Sequence, residues 1–422
     1  MGGTWAKVSV RTALRGTHCL HAMNLTTVIL KPGEADRIVA GHPWVYSNSI
    51  LRITAPLGDG DWVQVKDHRQ RLLGTGFYNS RSKIAVRVLD RDRVESDRSF
   101  FRERIAAAIE LRKRWMSGAT SYRLVNAESD FLSGLIVDRY EDVLVVQISS
   151  LGMDRRKADI VAVLQELLKP RAILERSDTA SRKFEGLADC NGVLAGEALP
   201  SMSIALNGLQ FQVDLAEGHK TGLYLDQQAN YAAVGELAKN AGEVLDCFSF
   251  LGGFALHAAR AGAGNVLGLD QSDTAVAAAQ ANAKSNGLSK TARFEAANVF
   301  DWLKSHTAVG PNEKVIPRYD LIILDPPSFT RNRASIPDAL RGYKEIHLRA
   351  MKLLKVGGVL ATFCCSHHVN RDLFEEVILA AAYDTRRVLR RVASYSQSPD
   401  HPVIPAIAET EYLKGFAYEL VR

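Results

Sequence analysis

The hydrophobic pattern of this chain changes character twice along its length. From Leu25 to about Asp90, short apolar runs alternate with polar residues and break at Gly, Asp and Pro: TTVILKP, HPWVYSNSI, GDWVQVKD, LLGTGFY and IAVRVLD. Period-two alternation with that punctuation predicts short strands in a small β-barrel-like module. Residues 99–117, SFFRERIAAAIELRKRWMS, switch to a helical period, with Phe101, Ile105, Ile109 and Trp115 on one face. Residues 122–200 mix strand-like runs (GLIVDRY, DVLVVQIS, AILERS) with the helix DRRKADIVAVLQELLK, which predicts a compact α/β middle domain.

From about residue 204 the pattern becomes regular. EVLDCF (243–248) leads to a helix through His257, and NVLGLD (265–270) to a helix over 273–287. ARFEAA leads to VFDWLKSH, YDLIILDPP (319–327) to a helix through Leu354, and GVLATFCCS (358–366) to a helix over 370–383. Strand followed by helix, five times over, predicts a parallel doubly wound α/β sheet. Right-handed crossovers set the C-terminal ends of those strands along one edge, where ligands bind. The expected organisation is therefore 23–95, 96–200 and 201–422, with no internal repeat. Residues 1–22 lack Asp and Glu and carry Lys7, Arg11 and Arg15, yet their apolar part is too broken for a secretory signal. A disordered tail, or a start at Met23, is expected there.

Composition narrows this only a little. Of 422 residues, 46% are apolar and 24% charged, as in a folded soluble protein. No apolar run is long enough to cross a bilayer. The five cysteines, at 19, 190, 247, 364 and 365, are too scattered for a disulfide framework, so a cytoplasmic, reducing setting is expected. A net charge of +6 permits a polyanionic partner without requiring one. In the N-terminal module, Arg37, His42, Trp44, Lys66, Arg69, Arg71, Arg81 and Lys83 interleave base and ring. That mixture fits RNA binding and fits a solvated barrel surface equally well.

The chemistry gathers at the sheet edge. In LDCFSFLGGFALHAA (245–259), Asp246 ends a strand, and Gly252 and Gly253 open a helix whose free N–H groups could meet a ligand. The spacing is not G-x-G-x-x-G. Asp270 ends the next strand, where an acid can hold both ribose hydroxyls of an adenosine cofactor. Asn298 follows the third strand, at the place of an adenine. DPPSF (325–329) ends the fourth: Asp325 at the edge, Pro326 and Pro327 as a rigid exit, Phe329 as an apolar plate for a flipped base. The plainer reading of each, a cap or a turn, loses force when all stand in one sheet.

The fifth strand ends in ATFCCSHHV (361–369), four metal-ligand residue types in five positions. Adjacent cysteines are not the C-x₂₋₄-C of zinc sites nor the C-x-x-C of redox pairs, so no metal is expected. Neighbours on a strand face opposite ways, so Cys364 and Cys365 cannot share one pocket. Either both are buried small residues or one is buried and one reactive.

The ordered run DCFSFLGGF, GLDQS, QANAKSNG, DPPSF and CCSHHV, with DHPV (400–403) and YLKGFAYEL (412–420), resembles the bacterial large-subunit (23S) ribosomal RNA cytosine-C5 methyltransferases, in particular the methyltransferase I family. HPWVYSNSI, SGLIVDRYED and GHKTGLYLDQQANY match the same pattern, so the likeness runs from about residue 25 to the C-terminus. It implies a PUA RNA-binding domain, a middle α/β domain and a class I S-adenosylmethionine (SAM) methyltransferase domain of Rossmann-like fold.

Carried onto these positions, the Asp246, Phe248, Gly252 and Gly253 loop would hold the methionine end of SAM. Asp270 would take the ribose hydroxyls and Asn298 the adenine amino group; the pattern usually has Asp there, and Asn keeps the carbonyl acceptor but loses the charge. Lys220, Asp226 and Gln227 would close over the cofactor. Cys365 is the implied nucleophile and Cys364 stands where Ser is usual. Asp325 is placed to support proton gain at cytosine N3. Pro326, Pro327, Phe329 and His367 are expected beside the base, and Arg37 and Trp44 at the RNA surface. His367 and His368 read more plainly as loop residues capping the next helix. The partner is ribosomal RNA, with a homodimer by family analogy. The competing readings are an exocyclic-amino methyltransferase and a non-catalytic RNA-binding assembly factor.

Overall fold

The computed structural model describes residues 25–197, 201–215, 222–310, 313–330 and 332–422. Lys220 and the segment 1–22 lie outside the described residues.

The N-terminal module is a six-stranded sheet of β1 (Thr27–Leu30), β2 (Trp44–Tyr46), β3 (Ile50–Ile53), β4 (Trp62–Lys66), β5 (Leu72–Tyr78) and β6 (Ile84–Asp90), with one short helix, α1 (Asp36–Val39). Its strands run in the order β2-β6-β5-β4-β1-β3 and close on Val28, Leu30, Val45, Val63, Val65 and Val86.

Helix α2 (Arg98–Trp115) follows, N-capped by the Asp97 carboxylate, which accepts the Phe100 N–H at 2.9 Å. Phe101, Ile105 and Ile109 face the core as their spacing requires, but Trp115 is 61% exposed. The helix has ended there, so the periodic match did not carry burial with it.

The middle domain adds β7 (Ser121–Asn126), β8 (Leu135–Tyr140), β9 (Val143–Ile148), α3 (Leu151–Asp154), α4 (Lys157–Leu168), β10 (Ala172–Ser177), α5 (Ala180–Phe184) and β11 (Cys190–Gly196). Its five strands run in the order β11-β10-β9-β8-β7. One face packs on α2 and α4; the other does not face solvent. Tyr140, Val143, Val145 and Leu174 join the same core as the hairpin β12 (Ser201–Leu206) and β13 (Leu209–Asp214), and as α6 (Gln228–Leu237). Middle and C-terminal domains therefore share one hydrophobic core.

The C-terminal domain is a seven-stranded sheet. β14 (Glu243–Cys247), α7 (Gly253–Arg260), β15 (Asn265–Asp270), α8 (Asp273–Ser285), β16 (Ala292–Ala296), α9 (Val299–Thr307), β17 (Tyr319–Leu324), α10 (Ile336–Leu353), β18 (Leu354–Cys364) and α11 (Arg371–Thr385) form the five parallel units. An antiparallel pair, β19 (Leu389–Ser396) and β20 (Lys414–Leu420), extends it beyond β18, in the order β16-β15-β14-β17-β18-β20-β19. The chain passes from α10 into β18 without a loop, so that strand starts at Leu354 rather than near residue 358, and its ladder ends at Cys364. Gly268 on β15 lies under the Phe294 ring, 2.4 Å from where a Cβ would sit, so only glycine lets β16 pack there.

Charged groups lock the three units together. Arg112 is completely enclosed and pairs with both oxygens of Asp130, while also donating to the Asp400 carbonyl at 2.8 Å. The Asp400 carboxylate, also buried, accepts the Arg123 N–H and the Gln228 side chain. Arg37 and Trp44, expected at an RNA surface, both make contacts between domains while remaining partly exposed. Arg37 pairs with Glu409, and the Trp44 indole donates to Glu128 at 3.0 Å.

Arg112→Leu leaves the Asp130 carboxylate buried without its cation. The expected loss is about 3–5 kcal/mol of unfolding free energy, read by chemical denaturation against the parent protein.

Candidate active site

Every parallel strand of the C-terminal sheet ends at one edge, and a cleft of about 1700 Å³ opens there. Its floor is the loop between β14 and α7. Phe248 (φ 66°), Phe250 (φ 49°) and Gly252 (φ 84°) all adopt left-handed backbone, two of them without glycine's freedom. Strain of that kind persists where surroundings over-determine it. Here Asp270 does so: its carboxylate accepts the Phe250 N–H at 2.9 Å and the Ser272 N–H at 3.0 Å. One acid thus shapes the loop and closes the end of β15. Phe248, Gly253 and Asp270 line the cleft.

Asp246 does something different from what its position suggests. Its side chain is fully buried beneath the loop, away from the cleft wall, and Oδ2 accepts the Ala255 N–H at the start of α7 at 3.0 Å. Its other oxygen has no hydrogen-bond partner. Burial pushes this carboxyl up to about 7, against the pull of the Ser249 hydroxyl and the Ala255 N–H. Gly252 also sits behind the wall; its role is the left-handed turn.

Asn298 reaches the cleft but spends its carbonyl oxygen on α9, accepting the Phe300 and Asp301 N–H groups at 3.0 and 3.3 Å. The acceptor expected to meet an adenine is the helix cap. What it presents outward is its amide N–H pair, a donor.

The opposite wall is the DPPSF turn and the end of β18. The Gln227 amide donates to Asp325 at 3.0 Å and is itself held by Asn230 at 2.6 Å. The Tyr412 hydroxyl donates to Asp226 at 2.6 Å. Asp226 and Gln227 thus tie the segment before α6 to both the turn and the C-terminal strands. Pro326, Pro327 and Phe329 line the cleft, Phe329 standing 4.6 Å from the Tyr343 ring and 5.6 Å from Phe300, centre to centre.

The cysteines part company. Cys364 is wholly buried in the core under the sheet, its thiol donating to the Tyr343 hydroxyl at 3.3 Å. Cys365, the next residue, is half-buried and lines the cleft, its sulfur 3.9 Å from the Pro326 carbonyl oxygen. His367 stands at the same rim with its ring 5.4 Å from Tyr412. Partial burial, with Lys414 and His368 nearby, holds it below the ordinary histidine range. Neither histidine caps α11: Asn370 does, accepting the Leu373 N–H at 2.8 Å. Among the described residues no cluster of His, Cys, Asp and Glu could hold a metal ion.

The strand-by-strand reading of the motifs misses one wall entirely. Gln147, Arg176, Asp178 and Thr179 of the middle domain face the cleft, with Arg123 beside them. The available signal was the Glu175–Arg176 pair in AILERS, two charges at the end of an otherwise apolar strand that is buried along its whole length. The cleft exceeds the roughly 300–1,000 Å³ of an ordinary small-molecule site, because two domains enclose it.

The Asp246 titration can be read directly. Its folded value lies above the ordinary carboxylate value of 3.8, so the folded state holds a proton that the unfolded chain releases. The stability it contributes is complete below that ordinary value and is lost as pH rises through about 7. Asp246→Asn keeps the acceptor for Ala255 and removes the titration. Melting temperatures taken from acid to neutral pH should fall less steeply with rising pH in the variant than in the parent.

Comparison with known proteins agrees with this geometry. A family model for S-adenosylmethionine-dependent methyltransferases matches residues 174–413, and one for a PUA-like domain matches residues 28–91. The ribosomal RNA large subunit methyltransferase I of Shewanella amazonensis is 42% identical over 392 residues, 92% of this chain and 97% of that one. Its namesake from Vibrio vulnificus is 38% identical over 400 residues, 93% and 99% of the two chains. A solved structure described as a SAM-dependent methyltransferase from Streptococcus mutans superposes with a TM-score of 0.78 at 20% identity, covering 93% of this chain and 99% of that chain. A methyltransferase complexed with SAH superposes equally well at 21% identity. At such identity these two speak for the fold alone. The residues present fit SAM: an acid, Asp270, ends β15 at the cleft, a strained loop opens onto the start of α7, and Asn298 reaches the same cleft. The chain uses SAM as its cofactor, and by these matches it belongs to the ribosomal RNA large subunit methyltransferase I family.

Proposed function

We propose that this chain forms 5-methylcytosine in 23S ribosomal RNA, with Cys365 adding covalently to C6 of the target base. One observation carries the reading: of two adjacent thiols, only Cys365 opens onto the cleft, beside Asp325, while Cys364 is committed to Tyr343. The ribosomal substrate follows from the relatives named above.

Cytosine C5 is too electron-poor to attack an electrophile unaided. Addition of the Cys365 thiolate to C6, with N3 gaining a proton, makes C5 nucleophilic. Asp325, oriented by Gln227 and Asn230, is the group that holds or supplies the N3 proton. Bound SAM supplies an electrophilic methyl group. C5 takes that methyl, the C5 proton passes to a base, the thiolate leaves, and N3 returns its proton to Asp325, restoring the neutral aromatic ring and the free cysteine. The base must leave its stack to reach Cys365, and Phe329, with Pro327 and His367, offers it an apolar and aromatic bed. The middle-domain wall, with Arg176 and Gln147, supplies polar groups for the rest of the nucleotide. The N-terminal module, a PUA-like domain, extends the RNA-binding surface. By family analogy the protein acts in the cytoplasm as a homodimer. None of the described helices is long and apolar enough to cross a membrane.

Transfer of tritiated methyl from SAM to unmodified ribosomal RNA tests the reading. Cys365→Ala is expected to abolish transfer, and Cys364→Ala to retain it. Asp325→Asn should lower turnover by about 10²–10⁴-fold. Nucleosides from the digested product should carry the methyl on carbon. A methyl on an exocyclic nitrogen, or full activity in Cys365→Ala, contradicts the proposal.

A further inference from the structure

The reaction above needs a base for the C5 proton, and the DHPV segment (400–403) holds a buried Asp–His pair at the cleft. Asp400 is fully buried, and its Oδ2 accepts the Arg123 N–H at 2.8 Å and the Gln228 amide at 3.1 Å. Its other oxygen, Oδ1, lies 3.0 Å from Nδ1 of the next residue, His401, off the line of a hydrogen bond. Neither atom has another partner among the described residues. His401 is only 2% exposed, yet its ring lines the cleft. With Nδ1 turned to the carboxylate, the ring reaches the cleft by its other edge, which carries Nε2. Buried polar atoms left unaligned in a native structure call for an explanation. In enzymes without substrate, catalytic hydrogen bonds are often poorly aligned and tighten in the complex.

Bonded neighbours tie this pair to the groups around the thiol. Consecutive residues reach both places: Gln227 donates to Asp325 at 3.0 Å and Gln228 to Asp400 at 3.1 Å. The Gln397 side chain joins His401 to Tyr412, donating to the His401 carbonyl at 2.9 Å and accepting the Tyr412 N–H at 3.3 Å. The Tyr412 ring stands 5.4 Å from that of His367, two residues beyond Cys365. His401, Tyr412, Asp325 and Cys365 all open onto the one cleft. The other groups there are less suited to take a proton from carbon. Asp325 serves N3, and the Asp226 carboxylate takes the Tyr412 hydroxyl. Tyr224 is held protonated by burial and by the acids around it. His367 stands at the rim, and among the described residues no hydrogen bond orients its ring. A carboxylate beside Nδ1 of His401 keeps the proton on that nitrogen and leaves the Nε2 lone pair toward the cleft. A base oriented by a third group is the arrangement such chemistry uses.

We propose that His401, oriented by Asp400, is the catalytic base that takes the C5 proton of the methylated adduct. The C5–H bond breaks and its proton goes to Nε2. Its electron pair forms the C5–C6 double bond, and the C6–S bond breaks with its pair returning to Cys365 as thiolate. The imidazolium, steadied by the Asp400 carboxylate, then gives its proton to water. This inference rests on the covalent cytosine-C5 reading and assigns one further residue within it.

His401→Asn keeps an amide near the place of Nδ1 and removes Nε2. Given SAM and unmodified 23S ribosomal RNA, it should still add to the base and methylate it, but not eliminate. A complex of Cys365 with methylated RNA, stable to denaturant and located by peptide mass spectrometry, should therefore accumulate in the variant and not in the parent. Multiple-turnover transfer should fall by at least about 10²-fold. A purely structural role would slow every step and trap nothing. A SAM-binding His401→Asn that turns over like the parent, or that is slow without trapped adduct, overturns the proposal. If the variant does not bind SAM, the parent decides through diethyl pyrocarbonate modification. His401 should react in the free protein and be protected in the complex trapped on 5-fluorocytidine RNA. Equal reactivity in both, or none in the free protein, overturns the proposal. A parent that methylates ordinary RNA yet forms no Cys365 adduct on 5-fluorocytidine RNA removes the covalent reading itself. A parent that is trapped, beside a His401→Asn that is not, removes this inference alone.

Discussion

Side chains on an extended strand point alternately to its two faces, and β18 ends on one cysteine, Cys364, with a second, Cys365, as the very next residue. The sheet has a core below and a cleft above its C-terminal edge, so alternation sends one thiol to each. Cys364 goes down among Tyr343, Phe374 and Phe416; Cys365 turns up toward Asp325. A shift of one residue in the register of β18 would exchange the two. That register is held on both sides, by β17 in parallel and by β20 in antiparallel pairing. β17 also delivers the DPPSF turn beside Cys365.

The cleft is a product of domain packing as much as of the sheet. The middle domain buries one face of its own sheet in the core that α6 and the β12–β13 hairpin also fill. That shared core sets Arg176 and Gln147 across the opening from the cofactor loop. The buried charges at the junction, Arg112, Asp130 and Asp400, then fix the angle between the two units. Apolar contact alone tolerates sliding; the Arg112 guanidinium, held by Asp130, donating to the Asp400 carbonyl, and the Asp400 carboxylate accepting the Arg123 N–H, are directional bonds across the junction. Asp400 belongs to the DHPV segment, which explains how a sequence feature far from the edge motifs bears on the site: it bonds the C-terminal domain to the middle domain.

Much of this was legible in the chain. The five strand–helix units follow from period alone, and Asp270, Asp325 and Cys365 fall at strand ends because that is where such a sheet presents them. The rest was hidden for identifiable reasons. β19 and β20 lack a following helix and so escape a search for βα units. Trp115 matched the helical stripe but lies at the helix end, past the core. Asp246 looks like a ligand for the cofactor, yet its carboxylate is turned beneath the loop to hold α7. Asn298 looked like an acceptor for adenine, and a nearer demand, two free N–H groups at the start of α9, took that oxygen first. The middle-domain wall carries no motif at all, since its residues meet the site through tertiary packing rather than spacing.

The central claim is that the thiol turned toward the cleft, and not its neighbour, bonds to the base. The most direct measurement is to offer the protein SAM and a ribosomal RNA substrate in which 5-fluorocytidine replaces cytidine. Fluorine at C5 cannot leave as the proton does, so the covalent adduct persists after methyl transfer. Peptide mass spectrometry of the trapped complex should place the nucleotide on Cys365. An adduct on Cys364, or none at all from a protein that methylates ordinary RNA, would contradict the account.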